Sequence, residues 1–171
     1  MKDILLASAI LLAACSTVVP STIMQLQGVD PLTADPADIA LQVDLPDSVS
    51  LANDAGTLDL RAQLRDGSTL AGQFPIERVG SMLQVAPAAH ENLRALQAEI
   101  GTWKAADPDG TSGSLSVDLN PCLTGPTVPE VAMLSVAIRL DADGPFLPLV
   151  RDVSIADALG RQAVLDPRPC S

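Results

Sequence analysis

The feature that most constrains this chain is a period of two. Apolar residues recur at alternate positions in short bursts, and proline, glycine or aspartate ends each burst. Ile39, Leu41, Val43 and Leu45 alternate with Ala40, Gln42 and Asp44, and the run stops at Pro46. Leu58, Leu60, Ala62 and Leu64 alternate with Asp59, Arg61, Gln63 and Arg65. Successive side chains of a strand point to opposite faces, so such runs predict half-buried strands. Asp66-Gly67 predicts a hairpin into residues 68–76, with Leu70, Gly72 and Phe74 on one face. Residues 22–27, 82–86, 114–119, 131–140 and 146–155 read as further strands. Asn120-Pro121 is expected to stop the strand at 114–119, and Pro148 marks an edge strand or a bulge. Asp35 followed by Pro36 predicts a capped helical turn.

One stretch breaks the period. Leu93, Leu96, Ile100 and Trp103 are spaced by three, four and three, which aligns them along one stripe of a helix. His90, Glu91, Arg94, Gln97 and Glu99 fall to either side or opposite. The fold class expected is mainly β: an antiparallel β-sandwich or open barrel of about eight short strands with one inserted amphipathic helix (87–105). Residues 22–171 are expected to form a single β-rich domain.

Composition supports a packed but unusual interior. Hydrophobic residues make up 47% of the 171, enough for a core, yet aromatics make up only 2%. Trp103, Phe74 and Phe146 are the aromatic side chains, so the core must be aliphatic. The net charge of −11 repels phosphate backbones, and the aromatic scarcity argues against base-stacking platforms. Nucleic acid is therefore not an expected partner.

Residues 4–12 are apolar apart from Ser8 and follow Lys2 and Asp3. The run is too short to cross a bilayer as a helix, which takes about 20 residues, and has the proportions of a signal-peptide core. Leu12-Ala13-Ala14-Cys15 follows. This resembles the lipobox of bacterial lipoproteins. The resemblance covers roughly the first 16 residues. It implies that residues 1–14 are removed as a signal peptide and that Cys15 is acylated. Residues 15–21 then form a short lipidated tether. The lipid bilayer becomes a partner through Cys15, since multiple acyl chains anchor stably where one is marginal. Ser16, in the place where Asp favours inner-membrane retention, implies the outer membrane, facing the periplasm.

With Cys15 assigned to lipid, Cys122 and Cys170 have a single possible pairing. An oxidising envelope permits it. A bridge would close a loop of 48 residues, worth roughly 4 kcal/mol in the chain-entropy model. The rival readings are two free thiols or a metal site. No C-x-x-C occurs and His90 is distant in sequence, so zinc and redox chemistry lack support.

The remaining candidates are weak. His90-Glu91 opens a metalloprotease helix signature, but Arg94 stands where the second histidine belongs. No G-x-S-x-G elbow supplies a nucleophile for His90. Asp107 with Asp109, and Asp141 with Asp143, open like calcium loops but lack the distal glutamate, so turns are the simpler reading. Trp103 is expected to anchor helix to sheet, with an exposed binding hot spot as the alternative. Asp59, Arg61 and Arg65 read as a solvated charged stripe. No catalytic constellation and no cofactor are expected.

The function expected is a non-catalytic binding, scaffolding or assembly role, with another envelope protein as partner. The alternatives are an envelope hydrolase and a small-ligand or cation carrier. An enzyme needs polar groups converging in a cleft, and a carrier needs an enclosed apolar cavity. A binding module needs an exposed apolar patch or an open sheet edge.

Overall fold

The structure is a computed structural model that describes residues 30–125, 132–155 and Cys170. Seven strands alternate with tight turns: β1 (Ala40–Asp44), β2 (Val49–Leu64), β3 (Thr69–Val79), β4 (Met82–Val85), β5 (Thr111–Leu123), β6 (Met133–Arg139) and β7 (Leu147–Ser154). Helix α1 (His90–Ala106) continues a single 3-10 turn over Pro87–Ala89. All strand pairs are antiparallel, in the spatial order β5-β2-β3-β4-β1-β6-β7. The sheet curls into a half-barrel. Of the two architectures expected, it is therefore the open, single-sheet one.

The period of two explains the two faces. In β2, Leu58, Leu60 and Ala62 are buried while Thr57, Asp59, Arg61 and Gln63 face away from the core. Their partners continue the same layers, Leu60 pairing with Gly72 of β3 and with Leu115 of β5. One face is thus apolar and the other solvated, as antiparallel sheets allow. Leu93 and Ile100 of α1 are almost fully buried in the same cluster as Leu58, Leu60, Phe74 and Ile138. Each such side chain contributes about 1.5–3 kcal/mol of burial. Gly72 lets the helix approach closely, because a Cβ there would lie 2.9 Å from Leu96 Cδ2 and 2.8 Å from Phe74 Cζ.

The Asp66-Gly67 hairpin forms as expected, with Gly67 at φ +89° and the Asp66 carboxylate accepting from the Ser68 N–H. Three expectations need correction. The strands are not all short: β2 has 16 residues and β5 has 13. β2 starts earlier than its alternation because a register shift between Leu51 and Gly56 interrupts the pattern. Asn120-Pro121 does not end β5, which continues through Cys122 to Leu123. Thr124 N–H donates to the Ser48 carbonyl, so Ser48 and Thr124 face each other across the ladder. By alternation Pro121 then turns its nitrogen outward, where no ladder hydrogen bond is lost. Pro148 lies in β7, the strand at the opposite edge of the sheet. The strand expected at 22–27 lies outside the described residues.

Cys122 and Cys170 form a disulfide, with Cα atoms 4.9 Å apart. Cys170 N–H also donates to the Leu123 carbonyl at 3.0 Å, which holds Cys170 against the outer side of β5.

Candidate functional site

A cleft of about 150 Å³ opens between the C-terminal half of α1, the segment at Asp30–Leu32 and the sheet. Its apolar walls are Leu32, Leu60, Ile100 and Leu115, with Lys104, Thr111 and Asp30 at the polar rim. Gly113 opens it on the β5 side, where an added Cβ would meet nothing closer than the Arg61 carbonyl at 3.8 Å. Arg61 lies in the odd-numbered layer of β2, on the solvated face, so only its backbone borders the cleft.

Gln97 fixes the outer wall. It is 5% exposed, and its Nε2 donates to the carbonyls of Pro31 at 2.8 Å and Ala34 at 3.0 Å. The helix periodicity groups Gln97 with the polar residues to either side of the apolar stripe or opposite it. It instead stands four residues after Leu93 and three before Ile100, on the buried stripe. That spacing was the signal available. Arg94 supports the same segment from outside, its Nη2 donating to the Asp35 carboxylate at 2.7 Å. The Asp35 carboxyl is held below its ordinary range first by the Ala37 N–H, then by Arg94.

The cleft borders a stretch of sheet edge that no described residue covers. Leu64 N–H donates to the Ser68 carbonyl, so Leu64 directs its backbone to β3 and Gln63 directs its own to β5. Gln63, Arg61, Asp59 and Thr57 therefore bond with Ser112, Ser114, Ser116 and Asp118. The intervening Gly113, Leu115, Val117 and Leu119 turn their N–H and C=O groups outward. β5 is the end strand of the sheet, and no described residue hydrogen-bonds to the outward backbone groups of those four.

The other sequence candidates are dispersed. His90 Nε2 donates to the Val85 carbonyl at 2.9 Å, clipping the start of α1 to β4. The acceptor is a carbonyl, so the proton sits on Nε2. Asp107 Oδ1 accepts from Gly110 N–H, and Asp141 Oδ1 accepts from Asp143 N–H, each closing a turn. Among the described residues no group of three or more His, Cys, Asp or Glu side chains gathers where a metal ion could be held. Asp59 accepts from Gln73 at 2.6 Å and from Thr57 at 3.1 Å, while Arg61 and Arg65 are both exposed. Trp103 is only half-buried and does not join the core cluster, so Leu93 and Ile100 anchor the helix in its place. Phe146 precedes β7 rather than lying in it, and its ring stacks under the Arg139 guanidinium at 5.2 Å. Cys15 and the signal-peptide residues lie outside the described residues. No helix among the described residues is long and apolar enough to cross a membrane.

Comparison with protein-family models, curated proteins and solved structures finds no match to this chain.

Proposed function

We propose that this chain is a lipid-anchored envelope protein whose domain binds another envelope component and performs no catalysis. The observation that carries the binding role is the edge of β5, unpaired from Gly113 to Leu119 among the described residues, with the apolar cleft beside it. The cleft's 150 Å³ is below the roughly 300–1,000 Å³ of ordinary small-molecule sites. A side chain fills such a volume, and this favours a macromolecular partner over the carrier reading. The anchoring role rests on Leu12-Ala13-Ala14-Cys15, and outer-membrane residence on Ser16. The Cys122–Cys170 disulfide suits an oxidising compartment. The net charge of −11 gives no attraction to anionic headgroups, leaving the acyl chains as the membrane contact.

The test is expression of the full chain and of Cys15→Ser in a Gram-negative host, followed by membrane fractionation and intact-mass measurement. The expected product starts at Cys15, carries acyl mass and sediments with the outer membrane. Cys15→Ser is expected in the soluble fraction. Equal membrane partitioning of the two proteins, or a mature chain without acyl mass, would overturn the reading.

A further inference from the structure

We propose that β5 is a docking edge for an extended peptide segment of the partner protein. The segment adds as an eighth strand and inserts one aliphatic side chain into the cleft at Gly113. This rests on the binding role above and names the partner's chemistry.

Three observations converge on it. Gly113, Leu115, Val117 and Leu119 present an unbroken row of outward backbone groups, to which no described residue pairs. Edge strands are normally blunted by proline, charge or cover. Among the described residues that protection lies at the end of β5, at Pro121 and at Leu123, whose carbonyl Cys170 occupies. The outward-bonding positions Gly113, Leu115, Val117 and Leu119 carry no proline, no charge and no cover from a described residue, and the one charged side chain between them is Asp118, whose backbone faces β2. Second, a strand added there places alternate side chains over the apolar face, where the missing Gly113 side chain leaves the cleft open. Backbone pairing then supplies affinity and the cleft supplies specificity. Third, the carboxylates at this edge set the charge of the occupant. Asp107 and Asp109 precede β5, and Asp118 lies within it on the solvated layer. The whole chain carries −11. The matching segment alternates aliphatic with basic residues, and a second copy of this acidic chain is disfavoured at the same edge.

The experiment uses the full chain, isotopically labelled and purified intact, with three synthetic decapeptides. The first alternates leucine with lysine. The second is the same peptide with two backbone amides N-methylated. The third replaces lysine with glutamate. The first peptide is expected to shift the amide resonances of Gly113, Leu115, Val117 and Leu119 and to slow their hydrogen exchange. N-methylation is expected to weaken binding about tenfold, as loss of two net hydrogen bonds would. The glutamate peptide is expected not to bind. Gly113→Leu extends into the cleft and brings its Cβ no closer to backbone than an ordinary contact of 3.8 Å with the Arg61 carbonyl, so it should retain the fold and weaken the first peptide. Val117→Pro removes one outward N–H and should do the same, with circular dichroism reporting the fold of both variants.

Shifts confined to residues away from β5, or equal binding by the methylated peptide, would overturn the proposal. So would slow exchange at those four amides in the free chain, because its own backbone or a second copy would then occupy the edge. Sedimentation of the free chain separates those two occupants. Peptide binding is read on purified protein and anchoring on membrane fractions, so either reading can fail while the other stands.

Discussion

Gln97 offers the sharpest test of how the cleft is held together. Its side chain is 5% exposed and gives both of its N–H bonds to backbone carbonyls of the segment that forms the outer wall. Gln97→Met conserves length and approximate volume and deletes both donors. The two carbonyls then differ. The bond to Ala34 is buried, whereas the bond to Pro31 is only partly so, and water can replace the latter. A buried acceptor left without a donor costs about 1–3 kcal/mol. The variant should therefore lose about 1–3 kcal/mol, nearly all of it from Ala34. Arg94→Ala is the control, because Arg94 ties the same segment through Asp35. Both of those side chains are half exposed, at 51% and 50%, so water screens the pair and the loss should be smaller than for Gln97→Met. Urea unfolding followed by circular dichroism measures both, with amide exchange over residues 30–38 as the local readout. If Gln97→Met loses less than about 0.5 kcal/mol at an unchanged slope, the buried acceptor does not hold the wall. A larger loss for Arg94→Ala would equally refute the ranking.

Three further outcomes follow from the structure. Reducing the Cys122–Cys170 bridge, or replacing Cys170 by alanine, should cost roughly 4 kcal/mol through the 48-residue separation it spans; thermal melts unchanged by reductant would contradict this. Gly56→Ala should cost about 1–3 kcal/mol or more, because Gly56 sits at φ +150° and a Cβ would overlap the Asp118 carbonyl. Gly67→Ala, at φ +89° in open space, should cost less, and chemical unfolding of both variants checks the order. The Asp66 carboxyl is held below its ordinary 3.8 by hydrogen bonds from Ser68, backbone first and side chain second. A depressed folded-state value contributes stability that is full above 3.8 and lost as pH falls through the lower folded value. Carboxyl titration by NMR should give midpoints below 3.8 for Asp66 and for Asp35, and Asp66→Asn should flatten the acid limb of stability. Midpoints at or above 3.8 would refute the assignment.

Much of the fold was legible wherever one residue's neighbours in sequence were also its neighbours in the local structure. Leu58 to Leu64 showed its two faces because the pleat alternates regardless of what lies beyond it. Asp66-Gly67 showed its turn because the left-handed φ is a local demand. The helix at 87–105 was legible to within one residue of its observed end, Ala106. The register shift near Gly56 hid the first part of β2, since its cause is the pairing with β5 rather than anything nearby in sequence. Pro121 misled for the same reason, because proline ends a central strand but not an outward position at an edge.

The cleft was less legible than the fold. Leu60, Ile100 and Leu115 each read as core from their periodicity, and nothing local says that Gly113 leaves a gap among them. Gln97 grouped with the polar residues beside or opposite the apolar stripe, although its place between Leu93 and Ile100 put it on the buried side. Its partners, the carbonyls of Pro31 and Ala34, lie 66 and 63 positions away.

By itself the sequence determined the alternation that makes a two-faced sheet, the aliphatic character of its core and the helix stripe that covers it. It also narrowed the pairing of Cys122 with Cys170 to one choice once Cys15 was set aside. These follow from side-chain chemistry and local geometry. Only the tertiary structure decided that there is one curled sheet rather than a sandwich, that β5 and β7 are its edges, and that the cleft opens at Gly113. Strand order is set by which long-range pairings bury the most apolar surface together. No local pattern carries that comparison, because it is made by the whole chain at once.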